Sequence, residues 1–179
     1  MTYFALVRAI NVAGHNMVGM ADLRTLLGEL GFTTPRTLLQ AGNLIFESAE
    51  RSEARIERLL AEGAKRRLGL DTDFFVRGVR ELRSVVRENP FPRDAERDPK
   101  RLMVMFLREA PDKQRVQELN EAITGREVAQ TKGRQAYIVY PDGVGRSRLT
   151  ITLIERKLGT RGTGRNWNTV RKLAALADG

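Results

Sequence analysis

The sequence predicts an α+β protein of two ferredoxin-like (βαββαβ) halves in tandem, each built on an antiparallel sheet. Three observations predict it. Short apolar runs alternate with helical periodicities in the order strand, helix, strand, strand, helix, strand. That order recurs after residue 100, as far as its fifth element. The first strand of each half, Tyr3 to Val7 and Leu102 to Leu107, is apolar at nearly every position rather than at alternate ones. A lone sheet with helices on one side leaves its other face wet, so strands apolar on both faces require a cover. The other half of the chain, or a second copy of it in a homodimer, would supply that cover.

In order along the chain, Leu23, Leu26, Leu27 and Leu30 follow the first strand at helical spacing, and Gly31 ends their helix. Arg36 to Leu39 and Leu44 to Phe46 read as two strands joined by a tight turn at Ala41-Gly42. Ile56, Leu59, Leu60, Ala64 and Leu68 define a second helix, with Ser52 as N-cap and Gly69 as stop. Thr72 to Val76 is the fourth strand. Leu82, Val85 and Val86 make a short helix, and the charged, proline-bearing stretch from Asn89 to Lys100 reads as a linker. The expected organisation is a first half at 1–79, a short helix and linker at 80–100, and a second half with a C-terminal helix at 101–179.

The second half begins with Leu102 to Leu107 and a helix after Pro111-Asp112, marked by Val116, Leu119 and Ile123. Glu127 to Gln130 and Ala136 to Tyr140 form a hairpin. Leu149 to Leu158 is a helix stopped by Gly159. The glycine-rich run Gly159 to Gly164 follows a helix rather than a strand, so it fits neither the dinucleotide fingerprint nor the P-loop and reads as a mobile connection. A last short strand near Arg165 and a closing helix with Val170, Leu173, Ala174 and Ala177 complete the half. The repetition rests on element order, with no residue-level repeat visible.

Composition narrows the chemistry. There is no cysteine and one histidine, which excludes disulfides, thiolate metal sites and histidine-rich zinc sites. Asp71 and Asp73 lack histidine partners, so no metal and no cofactor are expected. Apolar runs fall far short of the roughly 20 residues a membrane span needs, and no membrane partner is expected. The absence of cysteine makes a cytoplasmic setting the expectation, and the chain enters a strand without a basic leader or apolar signal region. The formal charge is +9, and it is uneven: residues 1–79 carry 10 Lys and Arg against 9 Asp and Glu, residues 80–179 carry 21 against 13. Such a basic second half suits a nucleic acid or a phosphorylated ligand, with Arg134, Arg146, Arg148 and Arg161 as candidate contacts. The bland alternative is compositional bias, since Arg outnumbers Lys 25 to 6.

Topology singles out one rim. In a βαββαβ unit the first two strands run the same way with the third antiparallel between them. The loop after the first strand and the turn between the second and third therefore emerge at one end of the sheet. This brings Arg8, Asn11, Gly14, His15 and Asn16 beside Gln40, Gly42 and Asn43. Amides, an imidazole and glycine backbone beside a helix start suit an anion or polar ligand. The structural alternative is that the glycines serve turn geometry and the side chains satisfy turn backbone. Farther on, Trp167 reads as the anchor that docks the closing helix, capped by Asn166 or Asn168. Otherwise Arg165, Asn166 and Asn168 line a site for carboxylate or phosphate. Lys132 to Tyr140 has some likeness to an RNA-binding strand, but Tyr137 and Tyr140 are three apart and point to opposite faces, against base stacking.

The segments Arg8-Ala9-Ile10-Asn11-Val12-Ala13-Gly14-His15-Asn16, Met20-Ala21-Asp22-Leu23-Arg24, Gln40-Ala41-Gly42-Asn43 and Arg165-Asn166-Trp167-Asn168-Thr169 together resemble a bacterial family, domain of unknown function 1697. The resemblance spans essentially the whole chain and implies a cytoplasmic protein of two ferredoxin-like halves. It implies no activity. Where Gly164 stands, members typically carry Thr or Ser. Three functional readings follow: a non-enzymatic binding module for an anionic partner; an enzyme on a small anionic metabolite, with His15 as acid or base and Arg8 or Arg165 as anion clamp; and a protein-interaction or structural role.

Overall fold

The structure, a computed structural model, describes residues 1–9 and 17–178. It divides into two compact units, Met1–Arg83 and Ser84–Gly179. The first unit holds β1 (Thr2–Val7), α1 (Met20–Glu29), β2 (Thr33–Leu38), β3 (Asn43–Glu47), α2 (Glu53–Leu68) and β4 (Phe74–Gly78). Its sheet has the order β2-β3-β1-β4 and every pairing is antiparallel. α1 and α2 lay Leu23, Leu26, Leu27, Ile56, Leu60 and Ala64 on one sheet face, against Tyr3, Ala5, Val7, Leu44, Phe46 and Val76. The alternate residues Phe4, Leu6, Ile45 and Phe75 are buried as well, so the strands are covered on both faces, as their composition requires. α2 starts where the Ser52 hydroxyl accepts the Arg55 N–H at 3.3 Å and stops where Gly69 takes a left-handed φ of 62°.

α3 (Val79–Arg87) follows β4 directly. The stretch from Asn89 to Lys100 forms α4 (Pro92–Arg97) and a 3-10 turn, Pro99–Arg101. So short a helix buries only Ala95, which leaves no periodicity to read.

The second unit repeats the plan with β5 (Leu102–Leu107), α5 (Lys113–Ala122), β6 (Val128–Lys132), β7 (Gln135–Val139), α6 (Ile151–Leu158) and β8 (Gly162–Asn166), closed by α7 (Trp167–Ala177). Its antiparallel sheet has the order β6-β7-β5-β8. Met103, Met105, Leu107, Ile138 and Tyr140 pack with Leu119, Ile154 and Leu158 of α5 and α6, while α7 packs on β5 and β8. One expectation is corrected here. The glycine-rich run is no mobile connection from Gly162 on, because Gly162–Asn166 pairs residue by residue with β5. A Cβ on Gly162 would lie 2.8 Å from the Phe106 carbonyl oxygen, and one on Gly164 2.5 Å from the Met103 sulfur. Glycine is what lets this strand close on its neighbour, and such a strand shows no hydrophobic pattern.

A residue-level correspondence between the halves appears that the sequence does not display. Val7 N–H donates to the Gly42 carbonyl and Arg8 N–H to that of Asp73, at 2.8 and 3.0 Å. Leu107 N–H donates to Arg134 and Arg108 N–H to Arg161, both at 2.8 Å. Arg77 faces Phe4 in register, and Arg165 faces Val104 at the matching position of the second sheet.

Candidate functional site

The C-terminal end of β1 lies beside the described members of the expected rim, Arg8, Gln40, Gly42 and Asn43. Arg8 is held by backbone: its N–H donates to Asp73, and its carbonyl accepts the Thr72 hydroxyl at 2.5 Å. Gly42, with φ of 72°, accepts from Val7 and leads into Asn43, which is fully buried. The Asn43 amide donates to the Leu38 carbonyl at 2.9 Å, so this side chain closes the β2–β3 turn rather than facing a ligand. Gln40 is exposed, and with Met17, Val18 and Gly19 it lines an open groove of about 550 Å³. The end of the β1–α1 connection and the β2–β3 turn thus meet. Asn11, Gly14, His15 and Asn16 lie outside the described residues. Two non-glycine residues here, Ala9 and Leu39, carry left-handed φ angles of 50° and 61°. Such strain costs roughly 1–3 kcal/mol each and concentrates at functional backbone.

The third sequence cluster divides by role. Asn166 caps α7, its carboxamide oxygen accepting the Thr169 N–H at 3.0 Å. Trp167 is buried at the start of that helix and Asn168 half-buried beside it. Arg165 is buried on β8, where its guanidinium donates to the Thr163 hydroxyl at 2.8 Å and the Gly164 carbonyl at 2.9 Å. Burial pulls its pKa down to about 10.

The second sheet's matching end carries what the sequence reading missed in part. Arg108, Arg134 and Arg161 stand at the ends of β5, β7 and β8, three adjacent strands, held in register by the two backbone bonds from Leu107 and Arg108. With strands about 4.8 Å apart, the three guanidinium stems start within roughly 10 Å of one another. The corresponding first-unit positions are Arg8, Gly42 and Asp73, a neutral set. Arg134 and Arg161 were legible as basic residues, whereas Arg108 becomes a site residue only through strand register. Arg146 ends a 3-10 turn, and Arg148 follows it, between β7 and α6.

Tyr137 donates its hydroxyl to the Val85 carbonyl at 2.7 Å, and Tyr140 to that of Leu149 at 2.9 Å. Both are fully buried, and burial holds both phenols above their ordinary pKa, so neither offers a stacking platform. Among the described residues no group of three or more His, Cys, Asp and Glu could hold a metal, and no helix is long and apolar enough to cross a membrane.

Two ferredoxin-like units in tandem, each with an antiparallel four-stranded sheet, define the class of protein. A family model described as "Protein of unknown function (DUF1697)" matches residues 1–137, and the chain belongs to that family. The match includes Arg8, Gln40, Arg108 and Arg134, and ends before Arg161 and Arg165. Among solved structures, the chain is similar to the conserved bacterial protein SP0830 from Streptococcus pneumoniae, with 23% identity, a TM-score of 0.75 and 98% of each chain covered. That likeness shows the fold. A search of the curated proteins finds no match.

Proposed function

We propose that this chain is a non-enzymatic binding module for an anionic partner, a nucleic acid or a phosphorylated small molecule, and that the Arg108, Arg134 and Arg161 end of the second sheet contacts it. One observation carries the reading: three arginines stand side by side at a strand end whose counterpart in the first unit is neutral. Planar guanidinium groups match phosphate oxygens, and the surplus of 21 basic over 13 acidic residues across 80–179 adds long-range attraction. A thermal-shift screen of nucleotides, oligonucleotides and phosphorylated metabolites, run at about 50 and 200 mM salt, tests it. A stabilising oligonucleotide whose effect fades with salt points to nucleic acid; a stabilising metabolite that persists points to a small ligand. No shift with any phosphorylated compound contradicts the reading.

A second reading, an enzyme acting on a small anionic metabolite at the β1–α1 connection, draws on the groove at Met17–Gly19 and Gln40 beside the strained Ala9 and Leu39. Its test is turnover of a metabolite panel by the wild type and by His15→Ala. Equal turnover by both, or none by either, removes it.

A further inference from the structure

At the other end of the first sheet, the start of β1 and the end of β4 open onto a second groove, of about 570 Å³. That volume lies within the roughly 300–1,000 Å³ typical of small-molecule sites. Its apolar surface comes from Met1, which is exposed, from Val79 and from the backbone of Gly78, over the buried Tyr3. Its rim is cationic. Arg51 and Arg80 are exposed there, and neither has an ion-pair partner among the described residues. The two carboxylates in the wall are already engaged. Glu53 Oε1 accepts the Gly78 N–H at 2.9 Å, and Glu81 Oε1 lies 3.3 Å from Nε of the buried Arg77.

We infer that this groove binds a small organic acid: an aromatic body lying against Met1 and Val79, with one carboxylate held by Arg51 and Arg80. The apolar surface argues against a bare inorganic anion, since burying it needs an apolar body. The two guanidinium groups argue against a neutral ligand, because a carboxylate accepts charge-assisted bonds from them that an amide cannot match. The site is separate from the arginine end of the second sheet and stands or falls independently of the proposed function.

Phenylacetate is the probe and phenylacetamide its neutral control, each titrated into the full chain while amide resonances are followed by two-dimensional NMR. Phenylacetate should give saturable shifts centred on Gly78 and Val79, with phenylacetamide about tenfold weaker or worse. Arg51→Gln with Arg80→Gln should weaken phenylacetate about tenfold, and both positions are exposed, so the fold should be retained. Arg108→Ala, Arg134→Ala and Arg161→Ala together should leave its affinity unchanged. Absence of saturable shifts at Gly78 and Val79 at about 10 mM, equal affinity for the two probes, or an unaffected double variant would overturn the inference.

Discussion

Gly162 and Gly164 show how individual residues set the geometry of the second sheet. A Cβ at Gly162 would meet a backbone oxygen, Phe106 O, whereas at Gly164 it would meet the flexible Met103 side chain. Backbone cannot yield as a thioether can. Gly162→Ala should therefore cost about 2–3 kcal/mol, and Gly164→Ala under about 1.5 kcal/mol, in urea unfolding. Equal losses would show that the strand relaxes as a whole. At the rim of the first sheet, Leu39 is half exposed with a left-handed φ of 61°. Leu39→Gly should raise stability by about 0.5–1 kcal/mol, since it removes the strain of a branched side chain in that conformation. Unchanged or lower stability would mean that the turn gains more from the leucine than it loses to its backbone.

The elements explain which parts of this fold sequence can and cannot display. Helix limits were legible because their causes are local: Ser52 and Gly69 around α2, Asp112 before α5, Gly159 after α6 and Asn166 before α7 all act within a few residues of themselves. Of β8 only the end near Arg165 was legible, because the glycines that begin it answer to Met103 and Phe106, far away in sequence. The same holds for the site. Topology alone brings Gln40 to the Met17–Gly19 segment, but Asn43 turned inward to close its own turn, and Arg108 gained neighbours only through register. The outer strands also carry a device with no sequence signature. α2 aims Glu57 and Glu53 at the edge of β4, accepting the N–H groups of Val76 and Gly78 at 2.8 and 2.9 Å, and Glu155 of α6 accepts the Gly162 N–H of β8 at 3.1 Å. Edge donors so occupied cannot template another strand. Glu57→Ala should cost about 1–3 kcal/mol by leaving the buried Val76 N–H unsatisfied, while Glu57→Gln retains an acceptor and most of the stability. Equal losses in the two variants, measured by urea unfolding, would deny the carboxylate that role.

For the molecule as a whole, the buried ionisable groups set its response to alkali. Tyr137 and Tyr140 have raised pKa values in the fold, so above about pH 10 the unfolded chain releases their protons and the native chain does not. Stability is complete below that pH and falls above it, by about 1.4 kcal/mol per pH unit for each phenol. Arg165 works the other way: its folded pKa is lowered to about 10, so raising the pH beyond that value relieves a buried charge and offsets about one of the two tyrosines. Chemical unfolding at stepwise higher pH should show a net fall from about pH 10, and a flat profile to pH 12 would mean that these phenols are not shielded. The basic second unit makes the larger claim, and a titration of labelled single-stranded oligonucleotide across a salt series tests it most directly, comparing wild type with the chain carrying Arg108→Ala, Arg134→Ala and Arg161→Ala. The proposed contact predicts a linear fall of log affinity with log salt in the wild type, with a slope shallower by about two to three units in the variant at undiminished thermal stability. A wild-type slope retained in full by the variant, or no binding at about 50 mM salt, would contradict a nucleic-acid partner at this end of the sheet.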